Sequence, residues 1–336
     1  MTSALLGKIL VQSLNGYVFR VPHLSRTSAL SKSFLLFLRA LLIANIPKGK
    51  VFFTIGIDTE QDLDKNYVHT GEYRNVSEGI PRLLDIFDDF NAKSTWLITP
   101  DVAHHSGDFF KKLAKKHEIG CHVHPEYFDG SLKGMRLQKI FPLFSYEKQV
   151  EMIQQASDVI RKNVGVNPSS FRAGRFGINN DSLRALVSCG FNLDCSMTPF
   201  LDWDFHGTLA SSDVSPRFLR VGSSDILEIP VTIVRPFRLF PAWLRPSWFS
   251  GSEMINVMKI RARSKETPLV LNMMFHSMEL IDPNPNFTAK RFFDNMRSVL
   301  EYASEHCVSF VTMNDLYNRL KPSTSSQNQA DPWKNE

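Results

Sequence analysis

Val51-Phe-Phe-Thr-Ile-Gly-Ile57 runs directly into Asp58-Thr-Glu60. Its β-branched and aromatic content predicts a strand. Acids at the end of such a strand sit where a parallel α/β sheet carries its chemistry. Downstream, Ile80, Leu83, Leu84 and Phe87 fall at the i, i+3, i+4, i+7 spacing of one buried helical face. Ser94–Thr99 and Glu118–His124 predict the next strands, with a short helix at 108–116 between them. A longer helix is expected at 145–163. Strands follow at Ser170–Ala173, Phe191–Ser196, Leu227–Ile233, Leu269–Phe275 and Val308–Met313, with helices at 180–188, 253–263, 288–305 and 314–320. Alternation this regular means βαβ units on a parallel sheet. Seven or eight strands in one run favour a closed or nearly closed barrel over an open sheet.

The 336 residues suffice for a large core without staples, and 43% hydrophobic with 22% charged residues excludes wholesale disorder. Cys121, Cys189, Cys195 and Cys307 form no C-x-x-C pair, which excludes a disulfide scaffold or a cysteine zinc finger and fits a reducing compartment. The net charge of +5 is misleading as a whole-chain value. Residues 1–50 hold seven basic and no acidic side chains, while the other 286 hold 32 basic against 34 acidic. A basic face for nucleic acid therefore has no support in the body of the chain. Residues 1–49 read as a basic, partly helical extension, residues 50–320 as the barrel, and residues 321–336 as a polar, disordered tail. Within the extension, Ser33–Ile46 is too short to span a bilayer and is interrupted by Arg39. An acid-free helix of this kind suits peripheral contact of residues 1–46 with an anionic membrane, packing against the barrel, or a transit peptide.

Four predicted strands end in polar clusters: Asp58-Thr-Glu60, His122-Val-His124-Pro-Glu126, Arg172-Ala-Gly-Arg175 and His276-Ser-Met-Glu279. Residues i and i+2 of a strand share a face, so His122 and His124 emerge together, close enough to share a metal. Two imidazoles and a carboxylate with an open position form a catalytic zinc pattern, and Asp58 or Glu60 could supply the carboxylate. The acids after Ile57 lack the glycine and the distal glutamate of an EF-hand. Asn75-Val-Ser77 and Asn286-Phe-Thr288 match glycosylation sequons, a match common by chance.

The order of an acidic pair, E-I-G-C-H-V-H, F-R-A-G-R-F-G, L-D-C-S and F-H-S resembles the polysaccharide deacetylase family over roughly residues 50–318. This is the NodB-like group, carbohydrate esterase family 4. The sequence looks most similar to its bacterial branch in lipopolysaccharide and surface-polysaccharide biosynthesis. The resemblance implies an α/β fold, a distorted (β/α)7 barrel, and a hydrolase that removes an N-acetyl group from a sugar with a divalent metal, usually zinc. Carried over residue by residue, it makes Asp58 the general base and Arg172 the residue that orients it. His276 becomes the general acid and Asp194 the acid that orients His276. The family's second strand-one Asp is Thr59 here, so the metal carboxylate passes to Glu60. The family's H-x-x-x-H has Glu126 at its second position, so His122 and His124 are the expected imidazole ligands with Glu126 as alternate. Arg175 and Glu279 are expected to bind substrate.

The expected partner is thus an N-acetylated carbohydrate in a polysaccharide or glycolipid precursor, on the cytoplasmic side and at the inner face of the membrane through the basic extension. The departures at Thr59 and Glu126 leave two alternatives. One is a hydrolase of another non-peptide C–N bond or an acetyl ester; the other is a carbohydrate-binding or assembly protein without catalysis.

Overall fold

A computed structural model describes residues 51–64, 69–128, 140–201, 209, 211–235, 241–264, 266–281, 289–306 and 308–322. The expected extension, the expected tail beyond Pro322, Cys307 and the Asn286 sequon lie outside the described residues. Seven parallel strands stand in the order β10-β1-β2-β3-β4-β5-β7. They are β1 (Val51–Thr59), β2 (Thr95–Ile98), β3 (Glu118–Val123), β4 (Ser170–Ala173), β5 (Leu193–Asp194), β7 (Ser224–Glu228) and β10 (Leu269–His276). Short β11 (Ser309–Phe310) also pairs β1, and β6 (Arg217–Val221) runs antiparallel to β7. β1 is buried along its whole length, because a parallel strand has both faces covered and reads as a nearly continuous apolar run.

Alternation along the strands separates two cores. Phe53, Ile55 and Ile57 point outwards into the larger cluster beneath the helices, whereas Phe52 packs with Leu97, Leu193, Leu227 and Val270 inside the barrel. The outer layer is α1 (Ile80–Asp89), α2 (Pro100–Leu113), α3 (Tyr146–Val164), α4 (Asn180–Ser188), α5 (Gly251–Arg261) and α6 (Ala289–Glu305). α7 (Met313–Leu320) instead joins the inner cluster through Met313 and Leu316 and so floors the barrel at the β1 N-terminal side. The helix ends follow local chemistry: Ser145 caps α3, and reciprocal Asn179/Ser182, Ser250/Glu253 and Thr312/Asp315 boxes start α4, α5 and α7.

Among the described residues no continuous ladder closes the barrel. Between β7 and β10, residues 229–235 and 241–244 lie across the gap and carry a two-stranded ribbon, β8 (Ile233–Val234) and β9 (Ala242–Trp243). Asn272 of β10 donates its amide to the carbonyls of Ile229 and Pro230 at 3.0 and 3.2 Å, and its backbone N–H to Thr232 Oγ1 at 2.7 Å. Met274 N–H then meets Leu244 O at 3.2 Å.

Two expected elements are longer or more divided than the sequence suggested. α2 begins at Pro100, eight residues before the expected start, because proline suits the first helical position. Its backbone breaks once, at Ser106, just before Gly107. The single strand expected at Leu227–Ile233 is β7, an irregular strap and β8, and the preceding β6 was missed.

Candidate active site

The register of the strands assembles the site. Asp58 pairs with His276 across β1 and β10, and His122 with Arg172 across β3 and β4. Each pair projects from one face at the C-terminal rim. Arg172 is fully buried, giving one N–H to Asp58 Oδ1 at 2.6 Å and another to the Cys195 carbonyl at 3.0 Å. Its guanidinium crosses beside Gly56, where a Cβ would sit 2.7 Å from Arg172 Nη2, so β1 needs a glycine there. Burial pushes the Asp58 carboxyl up, but Arg172, His122 and His276 outweigh it and hold the acid below its ordinary value.

Three donors converge beside Asp58. His122 Nδ1 donates to the Arg172 carbonyl at 2.8 Å, which leaves the Nε2 lone pair facing the pocket. His124 Nε2 lies 3.0 Å from His122 Nε2, and Glu60 Oε1 lies 3.4 Å from each. Nitrogen and oxygen ligands at about 2.0–2.2 Å in a tetrahedron are separated by roughly 3.3–3.5 Å. The triangle therefore fits the face of such a site, and the buried Glu60, His122 and His124 are the residues that could hold a metal. Burial lowers His124, but Glu60 and Glu126 overcome this and raise it to about 10. The pocket thus favours positive charge at this position. Burial raises Glu60, yet His124 and His122 bring it well below the ordinary value.

Glu126 occupies a different place from the alternate ligand position. Its Oε1 is 3.4 Å from His124 Nδ1, the nitrogen turned away from the donor triangle. Arg175 holds that carboxylate at 2.5 and 3.1 Å. Arg175, expected to touch substrate, is instead committed to Glu126, and its φ of +56° places it in the left-handed region. Gly174 makes room, since a Cβ there would stand 2.7 Å from the His124 ring.

His276 Nε2 is 3.9 Å from both Asp58 Oδ2 and Glu60 Oε1. The expected partner of His276, Asp194, is not the acid beside it. Asp194 is in register with Phe171 and Glu228, in the row of Cys121, one residue out of phase with His122 and Arg172. Alternation turns it to the helix-facing side of the sheet, where Ser196 donates from Oγ at 2.7 Å and from its N–H at 3.2 Å. The acid on His276 Nδ1 is Glu279, at 3.4 Å, so the residue expected to bind substrate takes the place expected of Asp194.

Two buried ionisable side chains escaped the sequence reading. Glu228 adjoins Asp194, and burial together with Asp194 lifts its carboxyl well above the ordinary range. Arg245, just after β9, contacts both His276 and Glu279. Its signal was a lone cation in the aromatic run Ala242-Trp-Leu-Arg-Pro-Ser-Trp248. His69 and His105 have close neighbours: His69 Nε2 is 4.0 Å from Glu60 Oε2, and His105 stacks on Tyr73 with ring centroids 4.0 Å apart. Asn75 of the first sequon is buried, with its amide on the Glu60 carbonyl at 3.0 Å. Among the described residues no helix is long and apolar enough to cross a membrane.

No curated protein matches the sequence. Among solved structures, a Mycobacterium smegmatis protein assigned to the polysaccharide deacetylases has a TM-score of 0.55 at 15% identity, covering 86% of this chain and 98% of that one. A Pseudomonas aeruginosa PAO1 protein with the same assignment gives 0.54 at 17% identity, over 82% and 93%. The allantoinase PuuE gives 0.54 at 18% identity, again over 82% and 93%. At these identities the likeness is one of fold. Residues 64–193 match the polysaccharide deacetylase family profile, a span that contains His122, His124 and Arg172. Residues 64–193 therefore carry the match to the polysaccharide deacetylases, a family of hydrolases acting on non-peptide carbon–nitrogen bonds, and the chain has the fold of a NodB-like barrel.

Proposed function

We propose that the protein removes the N-acetyl group from a sugar of a polysaccharide or glycolipid precursor in a metal-dependent hydrolysis. The observation that carries this reading is the convergence of Glu60, His122 and His124 beside an Arg172-bound carboxylate and an imidazole. Those three residues would hold a divalent cation, expected to be zinc. Such a cation polarises the amide carbonyl and acidifies water.

The remaining steps belong to the chain's own residues. Arg172 fixes Asp58 Oδ1 and keeps the carboxylate ionised, leaving Oδ2 to take a proton from the attacking water. Water adds to the acetyl carbon, the C–N bond breaks, and His276 supplies a proton from Nε2 to the departing amine. Acetate and the free amine are the products. Glu126, clamped by Arg175, orients His124 through Nδ1, as outer carboxylates do for metal-bound imidazoles. The extension, residues 1–46, would bring the barrel to an anionic membrane on which lipid-linked sugars are assembled.

The test is the metal content of the purified parent, His122→Ala and His124→Ala proteins, with acetate release from N-acetylated oligosaccharides. Near-stoichiometric divalent metal in the parent and its loss from both variants are expected. A parent that takes up no metal after reloading with zinc would overturn the hydrolase reading and favour a binding role.

A further inference from the structure

β1 ends at Thr59, and the carboxylate that completes the donor triangle stands one residue further on, at Glu60. Beyond the ladder no strand partner holds the Glu60 backbone, so its polar groups must be satisfied in another way. Its N–H meets Ser277 Oγ at 3.4 Å, a long contact for a hydrogen bond. Its carbonyl is held at 3.0 Å by Nδ2 of Asn75, fifteen residues away.

Asn75 is fully buried and opens the π-helical turn Asn75–Gly79 that precedes α1. Turns of this kind are rare and recur at functional sites. Asp62 fixes the turn from the Glu60 side. Its Oδ2 accepts the Arg74 N–H at 2.8 Å, and its Oδ1 accepts the Asn75 backbone N–H at 3.0 Å. The same Oδ1 accepts the second side-chain proton of Asn75. Both Nδ2 protons are thereby committed, one to Asp62 and one to Glu60.

A backbone carbonyl and a carboxylate can only accept. Turning the Asn75 amide over would set oxygen against oxygen at both contacts, so the side chain has one workable orientation. Asn75 Oδ1 is left buried without a partner among the described residues, which is the cost of that orientation. We propose that Asn75 is a positioning residue: it fixes the Glu60 backbone so that the Glu60 carboxylate meets both imidazoles. The role rests on the reading of Glu60 as a metal ligand. Glu60 Oε1 lies 3.4 Å from His122 Nε2 and from His124 Nε2. Such a constellation has to be held to within about 0.5 Å by the contacts around it.

The experiment is a double-mutant cycle on the zinc affinity of the full chain, read by competition with a chromogenic chelator. Asn75→Ala should weaken zinc binding about 10–100-fold. In a Glu60→Ala background, where His122 and His124 alone hold the metal, the same change should shift affinity by less than about twofold. A residue that acts through Glu60 has nothing left to position there. Equal losses in both backgrounds would make Asn75 a general support of the fold and overturn the proposal. Unchanged affinity in Asn75→Ala would overturn it as well. If Asn75→Ala does not fold, Asn75→Ser carries the cycle: its single hydroxyl proton goes to the Asp62 carboxylate, the stronger acceptor, and leaves the Glu60 carbonyl unpaired. The same two results then decide. A parent that binds no zinc overturns the metal reading of Glu60 and this role with it. The expected cycle in a parent that releases no acetate supports the role and sinks only the deacetylase reading.

Discussion

His124 stands between two carboxylates, and only one of them faces the pocket. Glu60 meets its Nε2 and Glu126 its Nδ1, each at 3.4 Å. The spacing of the histidines announced a shared face, but nothing in a linear sequence says which ring nitrogen a carboxylate will meet. That depends on the turn at Pro125–Tyr127 and on Arg175, whose guanidinium takes Glu126 away from the donor triangle. An outer carboxylate tunes metal affinity; a ligand determines it. Glu126→Gln should weaken zinc binding about 10–100-fold in competition with a chromogenic chelator, without abolishing it. Complete loss of zinc from Glu126→Gln would make Glu126 a ligand.

At the scale of elements, the strap between β7 and β10 does the work of a missing strand. β1, β3 and β10 were legible because each is a buried apolar run ending in polar residues. The strap was not, because its register depends on a side chain: Asn272 satisfies the carbonyls of Ile229 and Pro230 and accepts from Thr54 Oγ1 at 3.1 Å. It is 1% exposed, so no water replaces it. Asn272→Leu should leave those carbonyls unpaired and cost about 2–4 kcal/mol of stability in urea unfolding. Equal stability of parent and variant would show that the strap closes the barrel without this amide.

Across the whole molecule, ionisable side chains are divided between the two faces of one sheet. Asp58, His122 and Arg172 lie in the inner rows, and Asp194 and Glu228 in an outer one. Burial lifts Glu228 far above the ordinary carboxylate range and raises Asp194 as well. A carboxyl that holds its proton more tightly folded than unfolded stabilises the fold fully at pH values below its unfolded pKa, near 4.3. That contribution is lost as pH rises towards the folded value. Glu228→Gln keeps a neutral side chain of the same shape at every pH. Its melting temperature should match the parent's near pH 4 and exceed it increasingly towards pH 8, by calorimetry at matched ionic strength. A difference that does not change with pH would mean that Glu228 is ionised in the folded protein.

The sequence by itself determined the strand–helix alternation, the strands that carry polar ends, and the pairing of His122 with His124, because these follow from local period and composition. It also carried the family resemblance, through motif order. Which acid meets which histidine was decided only by tertiary structure. Glu279 takes the place expected of Asp194, because a one-residue phase in β5 turns Asp194 to the other face of the sheet. Arg245 reaches His276 across 31 residues of sequence, a contact set by the strap that closes the barrel and by no local pattern.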